Sequence, residues 1–256
     1  MELAQTKAAA DPLVQMRQDL QRALAKPVEQ RSWAMVIDIR RCVGCRACEA
    51  ACILENVLPP GVAYRTVPSV EWTHPRLGEV RPVFMPANCM QCARPPCVAA
   101  ANAVVPGSFK QRPDGIVTID YEKAYAQGRE VFEAAARACP YRQALYYDDG
   151  RSWTDKPDWT RPTYEYNRKW TREEVSGSPR KCHFCLHRLE AGILPACVTT
   201  CIGRAIYFGD LNDPESFVSQ TLREEHAQVL RIREYRGTEP QVYYLSDTPK
   251  ECQRWH

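Results

Sequence analysis

The chain has 256 residues, 25% of them charged and 45% hydrophobic, which is enough for one or two small domains with hydrophobic cores. The formal net charge is only +3 and the arginines are scattered, which argues against a nucleic-acid-binding protein. Thirteen cysteines are many for this length and direct attention to metal or cluster ligation.

The N-terminal region carries neither a basic, apolar leader nor a twin arginine, and no apolar run reaches the roughly 18 residues of a membrane span. We therefore expect no transmembrane segment. We also expect a location in the cytoplasm or at the cytoplasmic face of a membrane, and in the periplasm only if a partner carries the chain there.

Residues 11–26 predict an amphipathic helix with Asp11 as N-cap and Pro12 in its first turn. Its apolar stripe consists of Leu13, Met16, Leu20 and Leu24, and it packs either on its own domain or on a partner subunit.

A strand predicted from Ser32 to Asp38 leads into a run of cysteines spaced C-x2-C-x2-C-x3-C. The run comprises Cys42, Cys45, Cys48 and Cys52. In bacterial ferredoxins this spacing lets three thiolates bind one iron–sulfur cluster while the fourth binds another. Zinc is the alternative, but zinc sites usually combine separated C-x2-C pairs, often with histidine. Disulfide frameworks do not cluster in this way.

The remaining cysteines form further groups along the chain. A strand from Val80 to Pro86 precedes Cys89, Cys92 and Cys97, and a helix from about Arg129 to Ala138 precedes Cys139. The last two groups are Cys182 with Cys185 and Cys197 with Cys201. Cys252 stands alone and receives no role.

Three other segments complete the pattern. Asp114 and Gly115 predict a turn before a strand, and residues 228–232 and 241–245 are strand-like. Residues 147–179 form a long polar loop rich in tryptophan and tyrosine, suited to a partner surface or folded back on its own domain. The five histidines are scattered, and no Ser–His–Asp set, phosphate loop or GxGxxG fingerprint is present. His183 is interpreted as a hydrogen-bonding or steric neighbour of the cysteines.

These motifs resemble the ferredoxin-type electron-transfer (beta) subunits of the DMSO reductase family of molybdenum or tungsten bis-pterin oxidoreductases. The resemblance runs from about Trp33 to Leu245. Besides the cysteine groups, its markers are residues 114–117, 181–185, 208–213 and 237–245.

The resemblance implies which cysteines share a cluster. Cluster 1 would be held by Cys42, Cys45, Cys48 and Cys201. Cluster 2 would be held by Cys52, Cys182, Cys185 and Cys197. Cluster 3 would be held by Cys89, Cys92, Cys97 and Cys139.

The family pattern has a fourth cluster, and here the sequence departs from it. The last position of the second cysteine group is Ala101, and the third group begins at Ala124 with no cysteine before Cys139. All four ligands of one cluster are therefore missing together. We expect three 4Fe–4S clusters, with Tyr125, Val131, Phe132 and residues 134–136 filling the vacated space because an empty cavity is costly.

The resemblance also implies an α+β fold of two nested ferredoxin-like modules in a pseudo-two-fold arrangement. The outer module takes residues 32–79 and 180–212, and the inserted module takes 80–147. An N-terminal helical extension (1–31), a partner-facing loop (148–179) and a C-terminal extension (213–256) surround them.

The implied function is one-electron relay without a catalytic site of its own. The partners would be a molybdenum or tungsten bis-pterin catalytic subunit and either a membrane-anchor quinone subunit or a soluble electron carrier. An independent soluble polyferredoxin and a zinc-stabilised binding module are the alternatives. Arg41, Arg46, Arg94 and Arg142 lie near cysteines in sequence and either raise local potentials or remain surface residues. The substrate of the complex and the direction of electron flow stay open.

Overall fold

The computed structural model describes residues 11–73, 78, 80–141, 144–150 and 177–247. Its helices are α1 (Pro12–Leu24), α2 (Ala47–Glu55), α3 (Pro96–Val104), α4 (Tyr121–Ala124), α5 (Gly128–Ala138), α6 (Leu186–Glu190), α7 (Ala196–Thr199) and α8 (Phe217–Glu224). Its strands are β1 (Trp33–Asp38), β2 (Arg65–Thr66), β3 (Ser69–Thr73), β4 (Val80–Phe84), β5 (Ala87–Asn88), β6 (Phe109–Gln111), β7 (Val117–Ile119), β8 (Leu145–Asp148), β9 (Ser178–Lys181), β10 (Ile206–Asp210), β11 (Val229–Leu230) and β12 (Val242–Leu245).

A four-stranded sheet in the order β10-β1-β12-β11 forms the centre of the main core. Strand β1 pairs antiparallel with β10, where Trp33 faces Asp210, and parallel with β12, where Met35 faces Val242. All six residues of β1 are buried, as a central strand with both faces covered requires. The segment predicted as a C-terminal extension therefore contributes β11 and β12 to the central sheet.

Helix α1 confirms the amphipathic prediction. The Asp11 carboxylate caps it by accepting a hydrogen bond from the backbone N–H of Leu13 at 3.0 Å. Met16 and Leu20 are each 1% exposed in the main core, and the helix contacts β10 and α8. Of the two proposed packing modes, the structure shows packing on the helix's own chain.

Four short two-stranded pairings lie outside the central sheet. These are β2–β5, β3–β4, β6–β7 and β8–β9, and all four are antiparallel. Strand β5 runs directly into Cys89, and β9 runs directly into Cys182. The long loop after β8 is therefore closed at its base by the β8–β9 pairing. Residues 151–176, with the tryptophans and tyrosines of that loop, lie outside the described residues, as do Arg142 and Cys252.

Helix α3 packs against α5 around Ala101 and Ala124, the two positions where the family resemblance led us to expect cysteines. Ala101, Ala124, Val131 and Ala135 are all completely buried there. Val131 and Ala135 are buried here as expected, but that this is the space of a lost cluster stays a prediction. For Tyr125 the expected packing is wrong, because this residue lies in a single 3-10 turn before α5 and its side chain is 55% exposed.

Candidate iron–sulfur sites

The first thiol set comprises Cys42, Cys45, Cys48 and Cys201. These four cysteines line one recess with about 340 Å³ of space, part of it open to solvent. Three come from the loop after β1 and the first turn of α2, and Cys201 follows α7. The loop requires glycine at Gly44, where φ is +68° and an added Cβ would lie 2.4 Å from the Phe84 ring. Cys201 Sγ accepts a hydrogen bond from the Ala205 N–H at 3.2 Å.

The second thiol set comprises Cys52, Cys182, Cys185 and Cys197. Cys52 is close enough to the other three cysteines of the set to interact with them electrostatically, so we call them its electrostatic neighbours. Cys185 interacts in the same way with Cys182 and Cys197. Cys52 lies one helical turn after Cys48 on α2, so one helix supplies both sets. Cys182 Sγ accepts from the Phe184 N–H at 3.4 Å. The structure therefore joins segments that are far apart in sequence around this set.

The third thiol set comprises Cys89, Cys92, Cys97 and Cys139. Cys97 has the other three members among its electrostatic neighbours, and Cys92 has Cys89 and Cys139 among its own. Gln91, between two of the cysteines, donates to the Cys182 carbonyl at 2.6 Å and accepts from the Val117 N–H at 2.8 Å. The side chain of Gln91 thus ties the third set to the strand β7 and to the second set.

The three sets lie in a row. Cys48 of the first set is an electrostatic neighbour of Cys197 of the second. Cys182 of the second set is a neighbour of Cys89 of the third. The resemblance assigns these twelve cysteines to three sets of four, and the two neighbouring pairs place the second set beside both of the others.

Burial shifts the acid–base equilibria of these thiols. It raises the pKa of Cys48 to about 11 and the pKa values of Cys92 and Cys182 to about 12. The pKa of Cys52 is also raised well above its ordinary value, first by burial and then by the neighbouring thiols of Cys185 and Cys182. Without a bound cation these sulfurs are neutral, so their use as thiolates requires positively charged metal among them.

The donor atoms at these sites are those that an iron–sulfur cluster uses. Within the described ranges, no three histidine, cysteine or carboxylate side chains converge as the ligands of one metal ion do. A tetrahedral zinc site needs four sulfurs about 2.3 Å from one centre. The four cysteines around the recess of the first set, with the Ala205 N–H directed at Cys201 Sγ, fit an iron–sulfur cluster.

Two positively charged side chains at these sites, Arg65 and Lys181, were not identified from the sequence. Arg65 is 2% exposed and Lys181 is 2% exposed, whereas Arg41, Arg46 and Arg94 are exposed. Burial opposes the charge of Arg65, but the nearby cysteine sulfurs, led by Cys197, raise its pKa when they are ionised. The only sequence signal for Arg65 was its position in an apolar stretch, with Tyr64 before it and Val67 after it.

Several polar contacts fix the helices that carry the second set. The Glu55 carboxylate at the end of α2 pairs with His187 at 2.7 Å and with Arg188 at 2.8 Å on α6. Partial burial opposes the ionised form of Glu55, but these two partners lower its pKa overall. His183 Nδ1 accepts from the Leu186 N–H at 3.1 Å, and its role as a neighbour of the cysteines stays a prediction.

Comparison with known proteins identifies the domain type. A family model described as "4Fe-4S dicluster domain" matches residues 80–167 and 163–211, together more than half of the chain. The chain is 44% identical to the B subunit of selenate reductase from Mesobacillus selenatarsenatis, over 91% of this chain and 78% of that protein. It is 34% identical to the B subunit of tetrathionate reductase from Salmonella typhimurium, over 83% of this chain and 72% of that protein. It is 32% identical to the iron-sulfur cluster-binding subunit of menaquinone reductase from Nitratidesulfovibrio vulgaris, over 84% of this chain and 88% of that protein.

None of the helices within the described ranges is long and apolar enough to cross a membrane.

Proposed function

Because the chain belongs to the iron–sulfur B subunits of DMSO reductase family oxidoreductases, we propose that it relays single electrons through three 4Fe–4S clusters. The relay connects a molybdenum or tungsten bis-pterin catalytic subunit with a membrane quinone subunit or another redox partner. The observation that supports this proposal is that cysteines within the implied sets interact with one another, and that the second set also interacts with the first and the third. The chain itself performs no substrate chemistry.

Each thiol set holds one cluster. A 4Fe–4S cluster, when bound, accepts and releases one electron at a time. The protein contributes the thiolate ligands, backbone N–H groups that hydrogen-bond to sulfur, and burial that limits water access. These are the features that set the potential of a cluster. Because the second set neighbours both the first and the third, its cluster would link the other two in the relay.

The first set is the end that suits contact with the catalytic subunit. Cys45 is exposed, and Val43 and Ile202 beside the set are 61% and 67% exposed. An apolar rim around a partly open redox site is typical of a docking surface, because it excludes water when a partner binds. We infer that the catalytic subunit binds at this end, as the family resemblance implies.

The third set ends the row at its other side. In this proposal the electron partner approaches the third set directly, since we infer that the packed side chains of α3 and α5 occupy the place of a fourth cluster. We also infer the nested arrangement of modules, with residues 80–147 inserted between 32–79 and 180–212. In it, the first two sets belong to the outer module and the third set to the inserted one.

Anaerobic purification of the chain from its native complex tests the proposal. We expect about twelve irons and about twelve acid-labile sulfides per chain, no signal of a three-iron cluster in the oxidised protein, and co-elution with a molybdenum- or tungsten-containing subunit. About sixteen irons per chain would refute the three-cluster assignment. A stable brown monomer without such a partner would identify a free polyferredoxin, and bound zinc without visible absorption would identify a zinc module.

A further inference from the structure

Two basic side chains, Arg65 and Lys181, are buried between the thiol sets. Among the described residues, neither of them forms a salt bridge, although the described Arg180, which is also buried, pairs with Asp148 at 2.8 Å. Burying a charge is costly unless an opposite charge compensates it. A compensating anion for Arg65 and Lys181 must therefore come from something other than the acidic side chains of the described ranges.

Arg65 lies in the gap between the first and second sets. Its Nη2 donates to Asn88 Oδ1 at 2.8 Å and contacts Met35 Sδ at 2.9 Å. Its Nη1 is buried and has no hydrogen-bond partner in the described part of the chain. Its electrostatic neighbours are Cys48 of the first set and three members of the second set, Cys52, Cys182 and Cys197. The guanidinium group is therefore held by neutral atoms at Nη2, and sulfurs of two sets are its electrostatic neighbours.

Lys181 occupies the equivalent position in the second gap. Its Nζ donates to the Cys182 carbonyl at 2.7 Å and to the Val117 carbonyl. It acts electrostatically on Cys97 of the third set and on Cys182 of the second. Like Arg65, it is held by neutral acceptors while its charge acts on sulfurs from two neighbouring sets.

We propose that Arg65 and Lys181 are the resident counter-charges of the relay, one in each gap, and that they raise the reduction potentials of the clusters on both sides. This inference rests on the proposed function, because it requires the three sets to hold clusters. A cluster with four thiolate ligands is anionic, and reduction adds one more negative charge. A fixed cation in a low-dielectric gap stabilises the reduced form more than the oxidised form.

We expect the surface arginines to change the reduction potentials of the clusters less than Arg65 and Lys181 do. Arg94 follows Cys92 closely in sequence, but its side chain is 75% exposed and pairs with Glu239 at 3.0 Å. Water and the paired carboxylate screen its charge. Arg94 therefore provides a matched control for the loss of one positive charge near a cluster.

The test is a redox titration of the full chain with its clusters, followed by electron paramagnetic resonance. Signals are assigned with variants that remove one cysteine from each set. In Arg65→Gln we expect clusters 1 and 2 to become harder to reduce, by about tenfold in the ratio of reduced to oxidised form, or about 59 mV. Cluster 3 stays unchanged. In Lys181→Met clusters 2 and 3 shift in the same direction and cluster 1 does not.

Charge-retaining variants separate charge from packing. Arg65→Lys and Lys181→Arg are expected to keep potentials near those of the wild type, and Arg94→Gln to change none. Loss of iron in Arg65→Gln but not in Arg65→Lys also supports the proposal, because the charge is then needed to assemble an anionic cluster.

Three results would overturn the inference. These are unchanged potentials in both neutral variants, equal shifts of all three clusters, and equal iron loss in the neutral and charge-retaining variants. Iron content of the wild type keeps the two proposals apart. Wild-type protein without about twelve irons contradicts the proposed function, whereas full iron with unchanged potentials in the variants contradicts only the counter-charge inference.

Discussion

Replacing Cys52 with alanine tests the crossed assignment of the first cysteine run. Cys52 is 5% exposed near the end of α2, and its thiol faces Cys182, Cys185 and Cys197. We expect Cys52→Ala to damage cluster 2 while cluster 1 remains intact. Cys48→Ala is the matched control, since it removes the same atom one turn earlier on the same helix. It should damage cluster 1 instead.

The structure sets the size of the effect. Removing one buried sulfur changes packing by only about 1 kcal/mol, comparable to the loss of one buried methylene, so the fold itself should tolerate the change. We do not expect the cluster to tolerate the loss of this sulfur. Loss of one ligand in four either removes one iron or empties the site, which lowers iron from about twelve to between about eleven and about eight per chain.

Iron and sulfide analysis gives the size of the loss, and electron paramagnetic resonance of the reduced protein shows which cluster is lost. The two variants must remove different signals. If Cys52→Ala and Cys48→Ala abolish the same signal, both cysteines bind one cluster, and the division of α2 between two sets is wrong.

The remaining predictions concern stability. Gly128→Ala places a Cβ 1.6 Å from the Gly177 carbonyl oxygen, so we expect a loss of about 3 kcal/mol in denaturant unfolding. Gly192→Ala, which has space but φ of +74°, should lose only about 1 kcal/mol. Because the pKa of Glu55 is lowered in the folded protein, its ionised form stabilises the fold above its ordinary pKa of 4.5, and this advantage disappears as pH falls through the lowered value. The difference in thermal midpoint between wild type and Glu55→Gln should therefore shrink in acid, and a difference independent of pH would contradict the role of this charge.

Local signals in the sequence were sufficient for many elements. Asp11 followed by Pro12 marked the start of α1, and the strand before Cys42 was correctly predicted within one residue. Cysteine spacing indicated cluster chemistry because ligand geometry imposes that spacing within a single loop. These features depend on interactions between residues close in the chain, which a sequence pattern records directly.

The tertiary structure decided what depends on distant segments. The place of β12 beside β1 could not be inferred locally, because parallel pairing joins residues about two hundred positions apart. Nor could the burial of Val131 and the exposure of Tyr125, which depend on how α5 packs against α3.

The arginines show most clearly the difference between what the sequence predicts and what the folded structure determines. Sequence proximity to cysteines pointed to Arg94, which is exposed, and passed over Arg65, which is buried between two thiol sets. The composition determines how many charges a chain carries. Only the folded structure determines which of them are removed from water, and it is this removal that makes a charge effective at a redox site.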